Sequence, residues 1–133
     1  MLRITGRAAT TPLWQWTARD IAAATTSGQL TAREVTEAAI ARMEAVNPSL
    51  NAVVVGLTDD ARAEADALDA SDAPKGPLHG VPVTIKINVD QEGQATSNGV
   101  VAFKDVIASN DAPIVQNLKA AGAVVIGRTN TPE

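Results

Sequence analysis

The sequence contains no cysteine and no tyrosine, and its only large aromatic residues are Trp14, Trp16 and Phe103. Without cysteine there is no disulfide framework, no thiolate nucleophile and no cysteine-based metal site. A single histidine leaves few other soft ligands for zinc. We therefore expect no metal and no cofactor. The core must be built from valine, isoleucine, leucine and alanine, which favours closely packed helices.

Long runs of positive charge and long hydrophobic runs are also missing. The formal net charge is −4, and a mild acidic excess argues against nucleic acid or an anionic membrane as the main partner. No stretch approaches the roughly 18 apolar residues of a membrane span. The first eleven residues carry two arginines without a following apolar run, which is not a secretory signal. These absences favour a cytoplasmic protein.

After an irregular opening through Pro12, the first half of the chain is predicted to be mainly helical. Two hydroxyl residues are each followed three positions later by an acidic residue, the spacing of a helix start: Thr17 with Asp20, and Thr31 with Glu34. Gly28 suits the left-handed position after a first helix, and Asn47-Pro48 is expected to end a second one. Thr17–Asn47 is therefore interpreted as a helical hairpin.

An extended segment and a third helix are predicted to follow the hairpin. Three consecutive valines make Asn51–Leu57 extended. Thr58 is expected to cap a helix over Asp59–Ala70, whose acidic first turn agrees with the helix dipole. Residues 1–70 are interpreted as an N-terminal helical arm.

The second half of the chain changes to a strand–helix–strand pattern. After a Pro/Gly-rich loop at Ser71–Gly80, apolar and polar residues alternate over Val81–Val89, which is typical of a strand with one apolar face. Gln91–Asn110 is predicted to be mostly loop, with one turn of structure near residues 100–106. The second strand is predicted at Ala123–Ile126.

The helix between these strands has clear sequence signals at both ends. Asp111 is expected to cap it, Pro113 lies in its first turn, and Gly122 closes it. The order predicts a βαβ unit with two parallel strands. Because a two-stranded parallel sheet is hard to bury, residues 71–133 are interpreted as the incomplete start of a larger α/β core. The fold class is thus α/β, with a helical hairpin and the first elements of a larger mixed sheet.

Lys86 can be interpreted either as a solvated lysine or as a general base. It lies in the first strand of the βαβ unit, between Thr84 and Asn88 on the polar face. On the pattern alone it is most simply a solvated lysine. A role as general base would require a central strand and a buried lysine, because loss of water favours the neutral amine.

Other candidate residues have structural interpretations that outweigh functional ones. His79 is expected to be a loop histidine that hydrogen-bonds nearby backbone. Ser97–Gly99 is expected to be an ordinary surface turn, although it could approach a ligand. Trp14 and Trp16 cannot share one helix face, and core packing is favoured over a role as anchors. Five acidic residues of the third helix are interpreted as a solvated face rather than a metal site: Asp59, Asp60, Glu64, Asp66 and Asp69.

From Gly76 onward the sequence resembles the amidase signature family. The resemblance rests on GPLHGVPVTIKINVD (Gly76–Asp90) and DAPIVQNLKAAGAVVIGRTNTPE (Asp111–Glu133), which have the family's order and separation. The predicted hairpin, followed by NPSLNAVV, is similar to the family's N-terminal arm. The resemblance implies a hydrolase of small-molecule carboxylic amides, with a serine nucleophile, a second serine on a cis peptide bond, and a lysine. Lys86 stands at the lysine position, so the resemblance implies a catalytic Lys86 on an inward strand face.

The sequence departs from the family pattern in two respects. Members often have an acidic residue directly after the lysine, where this chain has Ile87. The family's glycine- and serine-rich segment, which carries both catalytic serines, would lie beyond Glu133. Five serines are present outside any such segment: Ser27, Ser49, Ser71, Ser97 and Ser109. We therefore expect an N-terminal fragment that is inactive alone, because a lysine base without a nucleophile is not a catalyst.

Three other interpretations remain open. The chain could be a non-catalytic interaction module derived from an amidase, or a component of a glutamine amidotransferase-like enzyme. A nucleotide-binding βαβ unit is disfavoured because no glycine-rich turn follows the first strand. An uncovered sheet edge and apolar face would also favour self-association.

Overall fold

The computed structural model describes residues 11–132, which form four α-helices and one three-stranded sheet. The elements in chain order are α1 (Ala18–Thr26), α2 (Ala32–Leu50), β1 (Val53–Gly56), α3 (Thr58–Ala70), β2 (Pro82–Lys86), α4 (Pro113–Ala120) and β3 (Val124–Thr129). Short 3-10 helices lie at Leu13–Gln15 and Val101–Phe103. The irregular opening predicted for the chain falls, for residues 1–10, outside the described part. The predicted α/β class is confirmed.

The helical hairpin begins and turns where its capping residues predict. The Thr17 hydroxyl accepts a hydrogen bond from the Asp20 amide at 3.1 Å. The hydroxyl of Thr31 accepts from the Glu34 amide at 3.0 Å, and the Glu34 carboxylate accepts from the Thr31 amide at 2.8 Å. Gly28 between the two helices has a φ of +77°. These reciprocal bonds satisfy amides that a helix start otherwise leaves without partners.

The prediction that Asn47-Pro48 ends α2 was wrong by one turn. The helix continues through Pro48 to Leu50, and Asn51 terminates it in the left-handed conformation with a φ of +49°. Proline removes only one helical hydrogen bond at this point. The Asn47 side chain satisfies amides beyond the helix end, because its Oδ1 accepts from the amides of Ala52 and Val53 at 3.0 and 2.8 Å. This side chain fixes the exit from α2 into β1.

The sheet has the order β1–β3–β2, with β3 in the middle. β2 and β3 are parallel, as the βαβ prediction requires, and β1 adds to the other side of β3 in an antiparallel direction. Pairing on both sides extends β3 to Thr129, beyond the predicted end at Ile126. β2 is shorter than predicted: its ladder ends at Lys86, where the Val89 amide turns back to the Lys86 carbonyl at 3.0 Å.

The two helix starts assigned to Thr58 and Asp111 were wrong in detail. Thr58 is the first residue of α3, Leu57 precedes it as the cap, and no side chain of residues 11–132 caps this end. Ala112 precedes α4, and the Asp111 carboxylate instead accepts from the Glu92 amide at 2.8 Å and from Lys119 Nζ at 2.7 Å. Burial opposes ionisation of Asp111, but these two donors hold the pKa of its carboxyl below the ordinary value.

Both faces of β3 are covered by helices. Val124 and Ile126 pack with Ile40 of α2 and Ala61 of α3. Val125 packs on the opposite face with Ile85 and Val115, which bring in β2 and α4. In the helices of the described part of the chain, four alanines are fully buried, namely Ala24, Ala32, Ala61 and Ala65. The expected use of small side chains for close helix packing is therefore observed.

Four of the five acidic residues of α3 are exposed, as predicted, but two of these four also have tertiary partners. Asp66 forms an ion pair with Arg33 at 2.6 Å. Asp69 accepts from the amides of Ala32 and Arg33 at 2.7 and 2.9 Å, so α3 caps the first turn of α2. These partners lie more than 30 residues away in the sequence, beyond the reach of local patterns. No helix within residues 11–132 is long and apolar enough to cross a membrane.

Candidate functional site

Lys86 is the last residue of β2 and lies at the carboxyl end of the parallel strand pair. It is in register with Thr129, the last residue of β3, and the following Ile87 amide donates to the Thr129 carbonyl at 2.9 Å. Its side chain is exposed among the described residues, and β2 has β3 as its one neighbour there. In open α/β sheets, ligands bind outside the carboxyl ends of the strands. Lys86 thus occupies the edge where such a fold places chemistry.

The Ser97–Gly99 turn reaches the same edge of the sheet. The predicted turn is present, with positive φ at Asn98 (+51°) and Gly99 (+75°), and the Val100 amide donates to the Ser97 carbonyl at 2.8 Å. A methyl group placed on Gly99 would lie 3.2 Å from Cγ2 of Thr131, which follows β3. Ser97 itself is buried. Asn98 and Gly99 are exposed, so the turn lies at the surface as predicted, with Ser97 buried and Gly99 close to the residue two positions after β3.

His79 lies at the other end of β2 from Lys86. It is a loop residue, as predicted, and its main chain is held at both ends: its amide donates to the Gly76 carbonyl at 3.1 Å, and its carbonyl accepts from the Thr25 hydroxyl. The side chain is buried. Burial, together with the nearby Lys75, lowers the pKa of His79. The length of β2 therefore separates this buried imidazole from Lys86.

The two tryptophans take different positions. Trp16 packs against a core cluster containing Ile21, Val35 and Val81, as the core-packing interpretation predicts, and its indole N–H donates to the Thr11 carbonyl at 3.1 Å. Trp14 is 44% exposed, and the Arg42 guanidinium lies 4.2 Å from its ring centre. A groove of about 410 Å³ between the first 3-10 helix, α2 and β2 is lined mainly by apolar side chains. Its described lining residues include Arg42 and the hydroxyl-bearing Thr84 but no carboxylate.

Metal ligands are not clustered in the described part of the chain. Within residues 11–132, no three histidine, aspartate or glutamate side chains are placed to hold a metal ion. The Asp111 carboxylate, in addition, is already engaged by the Glu92 amide and by Lys119 Nζ.

Sequence reasoning overlooked Arg128, the residue before Thr129 on β3. Its side chain is 0% exposed, and its guanidinium contacts the segment that follows Lys86. The sequence did contain a signal, since Arg128 directly follows the apolar run Val124–Gly127. Charged residues are almost never fully buried without partners. Lys86, the Ser97–Gly99 turn, Arg128 and Thr129 are thus brought together at one end of the sheet.

The sequence of this chain is similar to those of known amidases and of an amidotransferase polypeptide. The family model described as Amidase matches residues 34–133. The chain is 58% identical over 125 residues to an indoleacetamide hydrolase of Bradyrhizobium diazoefficiens, covering 92% of this chain and 24% of that enzyme. It is 39% identical over 122 residues to a glutamyl-tRNA(Gln) amidotransferase polypeptide of Oleidesulfovibrio alaskensis, covering 91% of this chain and 25% of that polypeptide.

The fold matches a solved structure of the same kind. A bacterial aryl acylamidase of the amidase signature family superposes with a TM-score of 0.85 and 30% identity, over 92% of this chain and 26% of that one. The chain spans about a quarter of the length of these relatives. The family match over residues 34–133, the sequence identity and the shared α/β fold lead to one conclusion: the chain belongs to the amidase signature family of amide hydrolases.

Proposed function

We propose that this chain contributes the catalytic lysine of an enzyme that hydrolyses carboxylic amides. The observation that carries the proposal is the position of Lys86, which stands at the family's lysine position in the Gly76–Asp90 motif and at the carboxyl end of β2. In the proposed reaction, the lysine accepts the proton of a serine nucleophile through a bridging serine. The serine oxygen then attacks the amide carbon.

The remaining steps transfer the acyl group from the amide nitrogen to the serine oxygen, and then from the serine to water. As the tetrahedral intermediate collapses, the C–N bond breaks and the nitrogen leaves as ammonia or an amine, taking a proton from the lysine relay. Water then attacks the acyl-serine ester, releases the carboxylic acid and restores the serine hydroxyl. Backbone N–H groups that bind the oxyanion usually supply a large share of such catalysis. In this proposal, both serines and the oxyanion donors come from outside residues 1–133.

Covering Lys86 is part of the proposal. A lysine accepts a proton only in its neutral form, and removal of water favours that form. Lys86 is exposed among residues 11–132, so further polypeptide must pack over the carboxyl edge of the sheet to complete the site. One edge of β2 has no neighbouring strand among the described residues. This is compatible with the requirement, since parallel sheets normally have several strands and two covered faces.

The proposed substrate class is a primary amide of an arylacetic acid. The support is the 58% identity to an enzyme named for indoleacetamide hydrolysis. Hydrolysis of such an amide would release the free acid and ammonia.

A hybrid enzyme tests the role of Lys86. Residues 1–133 replace the matching 24% of the Bradyrhizobium indoleacetamide hydrolase, and ammonia release from indoleacetamide is measured. We expect the hybrid to turn over and the 133-residue chain alone to be inactive. Lys86→Ala in the hybrid is expected to lower kcat by about 10²–10⁴-fold, the usual contribution of a general base.

Lys104→Ala is the matched control for this experiment. Lys104 is also an exposed lysine of the second half of the chain, outside the strands, so its loss should leave kcat unchanged. A folded hybrid that keeps full activity with Lys86→Ala would refute the proposed role. Turnover by the 133-residue chain alone, abolished by Lys86→Ala, would mean that a hydroxyl within this chain is the nucleophile.

The similarity to an amidotransferase polypeptide supports a second candidate. Here the same lysine would serve to release ammonia from glutamine for a partner enzyme. Glutamine tested beside indoleacetamide separates the two substrate classes. A well-folded hybrid without turnover on any amide of the panel would instead favour a non-catalytic interaction module.

A further inference from the structure

The guanidinium of Arg128 is buried in a cradle of main-chain oxygens. Its Nη2 lies within hydrogen-bond distance of the carbonyls of Ile87 (3.2 Å), Val89 (3.1 Å) and Ala95 (3.1 Å). Its Nη1 donates to Oε1 of Gln91 at 3.2 Å. Among the described residues it forms no ion pair, and Nε has no partner. A fully buried cation is costly unless its hydrogen bonds hold it in place.

All four acceptors belong to one irregular segment, residues 87–95, which begins directly after Lys86. In the described part of the chain, the Arg128 guanidinium is the hydrogen-bond donor to each of the three carbonyls. Buried carbonyls without a donor are strongly unfavourable. One side chain therefore holds several turns of backbone that lack a regular strand or helix of their own.

A bulge in β3 directs Arg128 to this segment. The register against β2 passes from Val125 directly to Gly127, so Ile126 is the extra residue. Ile126 packs against α2 and α3, and a methyl group on Gly127 would lie 2.7 Å from Cγ1 of Val53 on β1 and 3.7 Å from Met43 of α2. Two successive residues thus face the same side, which breaks the alternation of a regular strand. Without the bulge, Arg128 would point with Val124 and Ile126 into the helices.

The segment held by Arg128 also fixes the main chain of Lys86. The Lys86 carbonyl accepts from the Val89 amide at 3.0 Å, and the Ile87 amide donates to Thr129, the neighbour of Arg128 on β3. Arg128 binds the carbonyls of Ile87 and Val89, on either side of this turn. The strand end that presents Lys86 therefore cannot shift without breaking bonds to a buried cation.

We propose that Arg128 is a positioning residue for the amide hydrolysis, because it holds residues 87–95 and so sets the placement of Lys86 and of the entry to the Ser97–Gly99 turn. The inference rests on the proposed role of Lys86. Arginine suits the task because its planar fork offers five donors that reach several carbonyls at once, whereas lysine offers a single point charge. Burial lowers the pKa of Arg128, and the nearby Asp90 opposes this; arginine nevertheless remains protonated in proteins.

Hydrogen exchange in the 133-residue chain tests the structural half of the inference without any enzymatic activity. Arg128→Lys keeps the charge and loses the fork. We expect amide exchange in residues 87–95 to speed up by at least tenfold, with exchange in α2 and α3 unchanged. Unchanged exchange in residues 87–95, or a uniform increase throughout the chain, would overturn the inference. Gln91→Met removes one acceptor only, folds more safely, and should produce a smaller increase in the same residues.

Kinetics of the hybrid enzyme test the functional half. Misplacing a catalytic group by about 1 Å can cost about 10²-fold, so we expect Arg128→Lys to lower kcat by about 10–100-fold while KM stays within twofold. The limb of the pH–rate profile that Lys86→Ala abolishes should also shift. An unchanged kcat and profile would overturn the positioning role. If Lys86→Ala leaves activity intact, the proposed function fails, while the exchange result still decides whether Arg128 holds the segment.

Discussion

At the scale of single residues, two cations one strand apart have opposite environments. Lys86 is exposed at the end of β2, whereas Arg128 on the adjacent β3 is fully buried. The partners that make the buried position tolerable are 33 to 41 residues away in the sequence. No local pattern contains that information, so the carbonyl cradle of Arg128 could not be predicted, whereas the alternation around Lys86 could.

Two glycines with similar backbone angles provide a residue-scale prediction. Gly28 and Gly122 have φ of +77° and +90°, but a methyl group on Gly28 meets no atom of the described residues within 4 Å, whereas one on Gly122 lies 2.9 Å from the Cα of His79. Gly28→Ala should lower the free energy of unfolding by about 1–2 kcal/mol, the cost of left-handed backbone for a residue with a side chain. Gly122→Ala should cost about 2–5 kcal/mol, because overpacking against backbone adds to that penalty. Urea unfolding of both variants measures this, and equal losses would contradict the assigned contact.

At the scale of secondary-structure elements, α2 depends on α3 for the stability of its first turn. Thr31 and Glu34 satisfy amides by local bonds that the sequence predicts. The amides of Ala32 and Arg33 instead find the carboxylate of Asp69, near the end of α3. A helix start has four unpaired amides, and a negative charge there also favours the dipole. The cap supplied by another helix is a tertiary feature.

Removal of this carboxylate should destabilise the chain. Asp69→Ala leaves two amides of α2 without their partner, and we expect a loss of about 0.5–2 kcal/mol in the free energy of unfolding, the usual value of a helix cap. Asp72→Ala is the control, since Asp72 is an exposed residue of the loop after α3. Chemical denaturation followed by circular dichroism compares the two variants. Equal stability of Asp69→Ala and the parent chain would show that the two hydrogen bonds to Asp69 make no net contribution to the free energy of unfolding.

At the scale of the whole molecule, apolar side chains remain exposed on the loop between β2 and α4. We define the 100–107 patch by five exposed residues: Val100, Val101, Phe103, Val106 and Ile107, with exposed fractions of 46 to 80%. Contiguous apolar surface on a soluble domain typically marks a contact with another protein surface. The patch and the uncovered edge of β2 both favour association of the 133-residue chain with itself.

Sedimentation velocity over a range of concentrations tests this prediction. We expect reversible self-association that Val101→Asp weakens at least tenfold in Kd, equivalent to about 1.4 kcal/mol. Leu50→Asp is the matched control, because Leu50 is 64% exposed but lies at the end of α2. A monomer at all concentrations would contradict the prediction. A stronger effect of Leu50→Asp would move the contact surface to the helical arm.

The sequence by itself determined the elements and their order, because helix starts, turns and strand alternation depend on neighbouring residues. The capping pairs at Thr17 and Thr31, the left-handed Gly28 and the βαβ unit are examples. The family was also readable from two long motifs in the chain.

Tertiary structure alone decided what depends on residues distant in the sequence. β1 pairs with β3, and Asp69 of α3 caps the first turn of α2. Asp111 binds the Glu92 amide instead of capping α4. Tertiary structure also inserted the bulge at Ile126 that turns Arg128 toward the carbonyls behind Lys86. These outcomes are fixed by which surfaces can be buried together and by which buried polar groups find partners, and short-range sequence patterns encode neither.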